Sequence, residues 1–399
     1  MSNNSIPFIC GSSFENGVHH IKLADYGIDL LFNGLEYLEK RSTLLVCFTA
    51  AVSNRDLKEA PFFSGLGISD ELEIALCSIA DPIVSESKLN LAWYAGSSIY
   101  KMLQKNISDV INNVCTSLNV ENIILMGGSG GGFACLVQAS LPKLVNCKVI
   151  VWNPQTSITQ YKIEAVRRYV EYGFPNEYNN LNNLITEHAL KNILEINDVI
   201  ESVQVESINK STEVIYLQNK TDDHVAQHLI PFIKGSGTSW KRRGQSSFIL
   251  PDKNIGIYVG NWGEGHAVPP KSIISYAIKA LFEDNPITDI LQECEKGMLS
   301  VKDNPEYVDL DIDPSYWWVS CIRDGDKYKV KVQFRDEIRI NCSYAYYLYC
   351  DGYIRERIGY GDKDSHTFNI TPVNYKSIEV KAFLRMSNGC KLSKKITLI

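Results

Sequence analysis

Six short apolar runs punctuate the first 290 or so residues: Ser42–Phe48, Glu73–Ile79, Ile123–Met126, Lys148–Trp152, Val214–Leu217 and Ile255–Val259. They are near-continuous rather than alternating, as strands of a parallel sheet covered on both faces are. Helical patterns lie between them at Ser98–Leu118, Gly132–Ser140 and Lys271–Phe282, the last following Pro269 and Pro270. This alternation predicts an α/β architecture with a doubly wound, mainly parallel sheet. One interval breaks the rhythm. About 60 residues separate Trp152 from Val214, far more than an ordinary connection, and they read as helical over Ile158–Tyr172 and Leu184–Val203.

After Pro305 the period changes to two. Tyr328, Val330, Val332 and Phe334 alternate with polar residues, as do Ile378, Val380, Ala382 and Leu384. Turn pairs occur at Asp324-Gly325, Asp351-Gly352, Gly361-Asp362 and Asn388-Gly389. The pattern predicts an Ig-like all-β sandwich of about seven strands. The expected division is residues 1–298, with a helical insertion over 155–210, and residues 305–399, the boundary falling in the polar stretch at 296–308.

Composition excludes several classes. The chain has 399 residues, 22% charged, with a net charge of −6, so nothing points to nucleic acid. The Lys241-Arg242-Arg243 run reads as a solvated loop. No apolar run approaches the ~20 residues needed to span a bilayer. The opening MSNNSIPFIC lacks the charged and apolar regions of a secretory signal. Eleven scattered cysteines without a Cys-x-x-Cys pair fit reduced thiols in a cytoplasmic protein. A homo-oligomer is compatible with all of this.

The chemistry concentrates in ENIILMGGSGGGFACL. Gly127-Gly128-Ser129-Gly130-Gly131 is a G-x-S-x-G match with a strand before it and a helix after it. A nucleophile on so sharp a turn needs small neighbours, and the helix N-terminus favours developing negative charge. The motif in this setting predicts the α/β-hydrolase fold with Ser129 as nucleophile. In such folds a helical insertion commonly forms a lid, so 155–210 is expected to cover the site. The fold also orders its partners as serine, then acid, then histidine. Asp222 and Asp223 follow the run EVIYLQN, and His266 follows NIGIYVG. His266 is the expected base; Asp222 is preferred to Asp223 by its spacing from the strand, and Glu264 is a weaker alternative. Of the seven histidines, His19 and His20 come too early, His188 lies in the insertion and His366 in the β region. His224 and His228 share a helical spacing, but nothing near them in sequence completes a zinc set, so no metal is expected. The oxyanion hole is expected to use the Gly130 N–H with one from Thr49 or Ala50, chosen by position alone.

The blocks MGGSGGGF, VWNPQT, YLQNKTDDHV, NWGEGHAVPP and LAWYAGS resemble a bacterial α/β-hydrolase-like family tied to capsule and surface-glycan biosynthesis. That family includes capsular-polysaccharide O-acetyltransferases, and the acetyltransferase component of the accessory secretion system for glycosylated adhesins is related to it. The resemblance covers roughly residues 40–285. It implies Ser129, Asp222 and His266 as triad, acetyl-CoA as acyl donor with no bound cofactor, and a polysaccharide or oligosaccharide hydroxyl as acceptor, through a ping-pong acyl-enzyme. Trp262 and His224, beside the triad, and Arg167 and Arg168, in the insertion, are candidate substrate contacts. A carbohydrate esterase with the same triad and a non-catalytic secretion or assembly factor on the same fold are the alternatives. In SYAYYLY, alternation puts Tyr344 and Tyr346 on one face and Tyr347 and Tyr349 on the other, one of them core and the other open to sugar or domain packing. Tyr316, Trp317 and Trp318 pose the same question.

Overall fold

A computed structural model describes residues 14–142, 146–181, 185–234, 240–243, 246–299, 317–334, 342–371, 375–386 and 391–398. Each of the six apolar runs forms a strand within a ten-stranded sheet. Its strands are β1 (Gly17–Lys22), β2 (Gly27–Asn33), β3 (Thr43–Phe48), β4 (Ala75–Ile79), β5 (Asn122–Gly128), β6 (Cys147–Trp152), β7 (Glu213–Asn219), β8 (Lys241–Arg242), β9 (Ser247–Leu250) and β10 (Ile255–Gly260). The spatial order is β1-β2-β4-β3-β5-β6-β7-β10-β9-β8. The six central strands are mutually parallel, from β4 through β3, β5, β6 and β7 to β10. The flanking pairs at each edge are antiparallel. This order, with β3 and β4 exchanged, is that of the α/β-hydrolase fold.

Two edge features depart from the sequence reading. Lys241 and Arg242 form an edge strand on β9 rather than a loop. The antiparallel pair β1–β2 precedes the first recognised run; β2 alternates half-buried and buried residues because only one of its faces is covered.

Helices cover both faces. α1 (Leu66–Leu72), α9 (Lys271–Phe282) and α10 (Ile287–Leu299) pack on one, over Leu45, Ile124, Ile150 and Ile215. α3 (Leu103–Ser117) and α4 (Ser129–Ser140) pack on the other, with the short α2 (Pro82–Glu86) beside β2. α3 starts five residues later than its periodicity predicts. The Ser97 hydroxyl accepts from the N–H groups of Ile99 and Tyr100, and Met102 sits at φ +55°, so 98–102 forms a turn instead of helix.

The insertion holds α5 (Ile163–Gly173), α6 (Pro175–Asn179) and α7 (Glu187–Ile196). It is less helical than expected. Residues 157–160 are held out of α5 by their own side chains: Ser157 and Thr159 donate to the Glu201 carboxylate at 3.0 Å, which also pairs with Lys191 at 2.7 Å. α8 (Ile230–Lys234) follows a π-turn at Val225–Leu229.

The C-terminal part contains β11 (Trp317–Asp324), β12 (Lys327–Phe334), β13 (Cys342–Cys350), β14 (Tyr353–Gly361), β15 (Ser365–Asn369), β16 (Ile378–Met386) and β17 (Lys391–Thr397). They form two antiparallel sheets, β11-β12-β15 and β14-β13-β16-β17. Tyr346 and Trp317 are buried between them, while Trp318 is partly exposed and donates to Gln333. Tyr316 lies outside the described residues. Val225 and Ile230 join this second core, so the sandwich packs against the segment that follows Asp222.

Among the described residues no helix is long and apolar enough to cross a membrane. Cys47, Cys77, Cys115, Cys135, Cys147, Cys294, Cys321 and Cys350 are free thiols.

Candidate active site

Ser129 is the hinge residue between β5 and α4, with φ +51°. A side-chain-bearing residue there stores on the order of 1–3 kcal/mol of strain, held by the surrounding packing. The flanking glycines have steric reasons. A Cβ on Gly131 would run into the Phe48 carbonyl, and one on Gly127 would meet the Gly131 backbone. Without both, α4 could not approach the sheet closely enough to aim Ser129 from the end of β5. The Gly130 N–H lies in the first turn of α4, where no helical acceptor exists.

The candidate acid and base come from the ends of β7 and β10. His266 Nδ1 lies 2.5 Å from Asp222 Oδ2; the carboxylate is buried and the imidazole is 44% exposed. Asp222 Oδ1 accepts from the His224 N–H at 3.0 Å. Asp223 and Glu264, the other sequence candidates, are exposed and do not meet the imidazole. Among the described residues, Ser129 Oγ accepts only from Gln155 Nε2, at 3.4 Å, and His266 Nε2 has no protein partner. The contact between base and nucleophile is thus not made in this state. Such contacts often tighten only around bound substrate.

Two buried asparagines tie the three loops together, and neither stands out in the sequence. Asn153 Oδ1 accepts from the Asn219 N–H at 2.7 Å, and its Nδ2 donates to the Ala267 carbonyl at 2.7 Å. Asn219 donates to the carbonyls of Gly263 and Gly265 and accepts from the Trp262 N–H. The Asn153 carbonyl receives His224 Nδ1–H at 2.9 Å, and the Gln155 N–H donates to the Ser129 carbonyl. Nucleophile loop, acid loop and histidine loop are therefore one hydrogen-bonded unit. The blocks VWNPQT and YLQNKTDDHV contain these residues, so their content is largely this scaffold.

His224 is 5% exposed, its ring 4.5 Å from that of His266 and 4.5 Å from that of His228. Burial lowers its pKa to about 4, with the nearby His266 pushing the same way against Asp222. It stays neutral and braces His266 rather than meeting substrate. Asp222, His224 and His266 have ligand atoms within 4.8 Å of one another. Both Asp222 oxygens and both Nδ1 atoms are already hydrogen-bonded within the protein. His228, the other half of the helical histidine pair, turns Nδ1 to the Thr156 N–H instead.

The oxyanion expectation narrows. The Thr49 N–H is taken by the Tyr94 hydroxyl at 2.7 Å, which itself donates to the Ile79 carbonyl. Ala50 is left as the loop donor to pair with Gly130. Tyr94 and Trp93 both sit at positive φ, +55° and +56°. Asp81 holds this kink, accepting from the Tyr94 N–H at 2.7 Å and from the Ile83 N–H at 3.1 Å. The Trp93 indole donates to Gln155 Oε1, so the same kink orients the amide that meets Ser129.

Burial raises the Asp81 carboxyl from 3.8 to about 6, against backbone hydrogen bonds from Tyr94, Ile83 and Val84. The folded protein then holds this proton more tightly than the unfolded chain. Asp81 therefore favours folding most below about pH 4, and this contribution, on the order of 3 kcal/mol, is lost as pH rises through about 6. Asp81→Asn is expected to flatten the stability–pH slope over that window, measured by urea unfolding. An unchanged slope would assign it elsewhere.

A cleft of about 660 Å³ opens between α5 and the 88–91 loop. Ala51 and Leu91 line it, and Leu91 also packs against Gly130 of α4, where an added Cβ would strike it. Tyr161 bridges it to His224, ring to ring at 5.9 Å. Lys88, Lys162 and Arg168 line its wall. The two arginines separate here. Arg168 faces the cleft, whereas Arg167 is consumed by Glu164 and Glu171, each at 3.1 Å, and by the Tyr178 hydroxyl. Trp262 also moves off the candidate set: its ring lies over Gly260 and against Tyr258, in the α9–α10 layer.

Strand order and this arrangement define an α/β-hydrolase fold carrying a serine, histidine and aspartate at the ends of β5, β10 and β7. No protein-family profile matches the chain, and no curated protein sequence matches it. Solved structures do align. The esterase Est1E from Butyrivibrio proteoclasticus superposes with TM-score 0.40 at 10% identity, covering 67% of this chain and 98% of that one. A thermophilic esterase from Thermogutta terrifontis gives 0.37 at 12% identity, over 67% and 98%. Carboxylesterase CesB from Bacillus subtilis gives 0.36 at 9% identity, over 67% and 92%.

Proposed function

We propose that this protein is a serine-dependent O-acetyltransferase that moves an acetyl group from acetyl-CoA to a hydroxyl of a bacterial capsular or surface polysaccharide. The observation that carries the reading is the cationic cleft lined by Leu91, the residue packed against Gly130 beside Ser129. Lys88, Lys162 and Arg168 line it, and the one carboxylate there, Glu164, is held by Arg167. A simple ester presents nothing for three cations to hold, whereas a phosphorylated acyl carrier does.

In the proposed cycle Ser129 Oγ rotates from Gln155 to His266 Nε2, gives up its proton and attacks the thioester carbonyl. The Gly130 and Ala50 N–H groups receive the oxyanion. The C–S bond breaks, the thiolate takes the proton from His266, and acetyl-Ser129 remains. The acceptor hydroxyl then gives its proton to His266 and attacks the acetyl carbonyl. The Ser129 oxygen leaves and recovers that proton. Asp222 stabilises the imidazolium formed at each stage.

Hydrolysis is the second reading, and the exposure of His266 favours it, because water reaches the base as readily as a sugar does. Product analysis separates the two. Supplied with acetyl-CoA and a glycan acceptor, the transferase accumulates acetylated glycan. If acetyl appears only as free acetate whatever acceptor is supplied, the transferase reading fails. The cleft is tested by kinetics: Arg168→Ala is expected to raise KM for acetyl-CoA roughly tenfold, while Arg167→Ala changes it by less than about twofold. Equal effects of the two substitutions would move donor binding out of the cleft.

A further inference from the structure

The β14-β13-β16-β17 sheet turns one face into the sandwich core and the other outward. On the outer face Arg357, Tyr347, Lys381 and Lys395 stand opposite one another across all four strands, a row roughly 14 Å long at ordinary strand spacing. Phe383 lies beside it, its ring centroid 4.7 Å from that of Tyr347. Four cations rest against four rings: Arg357 on Tyr347 at 5.4 Å, Lys381 on Phe383 at 5.2 Å, Arg385 on Tyr360 at 4.5 Å and Lys395 on Tyr349 at 5.7 Å. One carboxylate, Glu379, pairs with Lys395 at 2.6 Å. In a chain of net charge −6, this face concentrates positive charge on an aromatic floor.

The position of this face matters as much as its chemistry. Val225 and Ile230, just past the acid loop, are part of the sandwich core. Asp223, next to Asp222, is close enough to act electrostatically on Lys381 and on Tyr360. The face is thereby fixed beside the loop that holds the catalytic acid.

We infer that the outer face of this sheet binds an acidic polysaccharide chain and leads it toward the loop bearing Asp222. A cation lying on a ring is partly desolvated yet keeps its outward N–H groups for a carboxylate or phosphate. The rings between the cations offer flat apolar area to sugar faces. A polymer alternating sugar ring and anion matches a surface alternating ring and cation. The inference rests on the glycan-acceptor reading for the polymer's role, but its binding is measured separately.

The test is calorimetric titration of the full chain with an oligogalacturonate, which carries a carboxylate on each sugar. A neutral dextran oligomer and a single-stranded DNA of equal charge serve as comparisons. The acidic oligosaccharide is expected to bind, more weakly at higher salt. Arg357→Ala and Arg385→Ala, at exposed positions, are each expected to weaken binding roughly tenfold, and Ser129→Ala to bind as wild type does. Absence of binding, equal binding of dextran, equal or tighter binding of the DNA, or unaffected binding by both arginine variants overturns the inference. Wild-type turnover of a small acetyl ester is read alongside. Polymer binding without turnover contradicts the catalytic reading alone, and turnover without polymer binding contradicts this inference alone.

Discussion

Alanine in place of Ser129 is expected to lower kcat/KM on an activated acetyl ester on the order of 10⁵-fold, with the fold unchanged. In the proposed cycle Oγ is the atom that forms the acyl-enzyme, and the described residues supply no replacement. The neighbours of Oγ are the Gln155 amide and the glycine backbone of α4, and none of these is a nucleophile. Removing the hydroxyl also relieves nothing, since the strain at φ +51° is in the backbone and remains with alanine. A variant retaining more than about a hundredth of the activity would place the nucleophile elsewhere. Combining Ser129→Ala with a change at His266 should cost little more than either alone, because the groups act as one unit. Steady-state kinetics with matched circular dichroism spectra would check both statements.

Asp222→Asn is expected to lower kcat about 10⁴-fold with KM little changed. The reason lies in the two hydrogen bonds of the carboxylate. Oδ1 accepts from the His224 N–H and Oδ2 faces His266 Nδ1. An asparagine keeps its oxygen on the His224 N–H and turns its amide N–H toward Nδ1. Nδ1 must then accept, so the proton moves to Nε2, and His266 can no longer receive one from Ser129. Asp223→Asn, one residue away and exposed, is the matched comparison and should change kcat by less than about twofold. Comparable losses at the two positions would break the assignment of the acid.

The central strands were legible in the chain because burial on both faces leaves them no room for polar residues. The edge strands were not. β2 shows its alternation only once its covered face is known, and β8 is two charged residues long. At the site, Ser129, Asp222 and His266 were legible because each directly follows a recognisable strand. Asn153, Gln155 and Asn219 were not, because their roles are hydrogen bonds between loops far apart in sequence. The oxyanion donors were ambiguous for a related reason. A backbone N–H carries no residue signature, and only the Tyr94 hydroxyl, 45 positions from Thr49, separates Thr49 from Ala50. Arg167 and Arg168 are adjacent in sequence and look alike. The helix turns one toward glutamates on its own surface and the other into the cleft.

The proposal of an acyl-enzyme fed by acetyl-CoA meets its most direct test in the intact mass of the protein after brief incubation with acetyl-CoA and no acceptor. The expected result is a gain of ~42 Da, one acetyl group in place of the Ser129 proton, which disappears in Ser129→Ala and on addition of an accepting glycan. An unchanged mass with acetyl-CoA fully retained, or the same gain in Ser129→Ala, would contradict it.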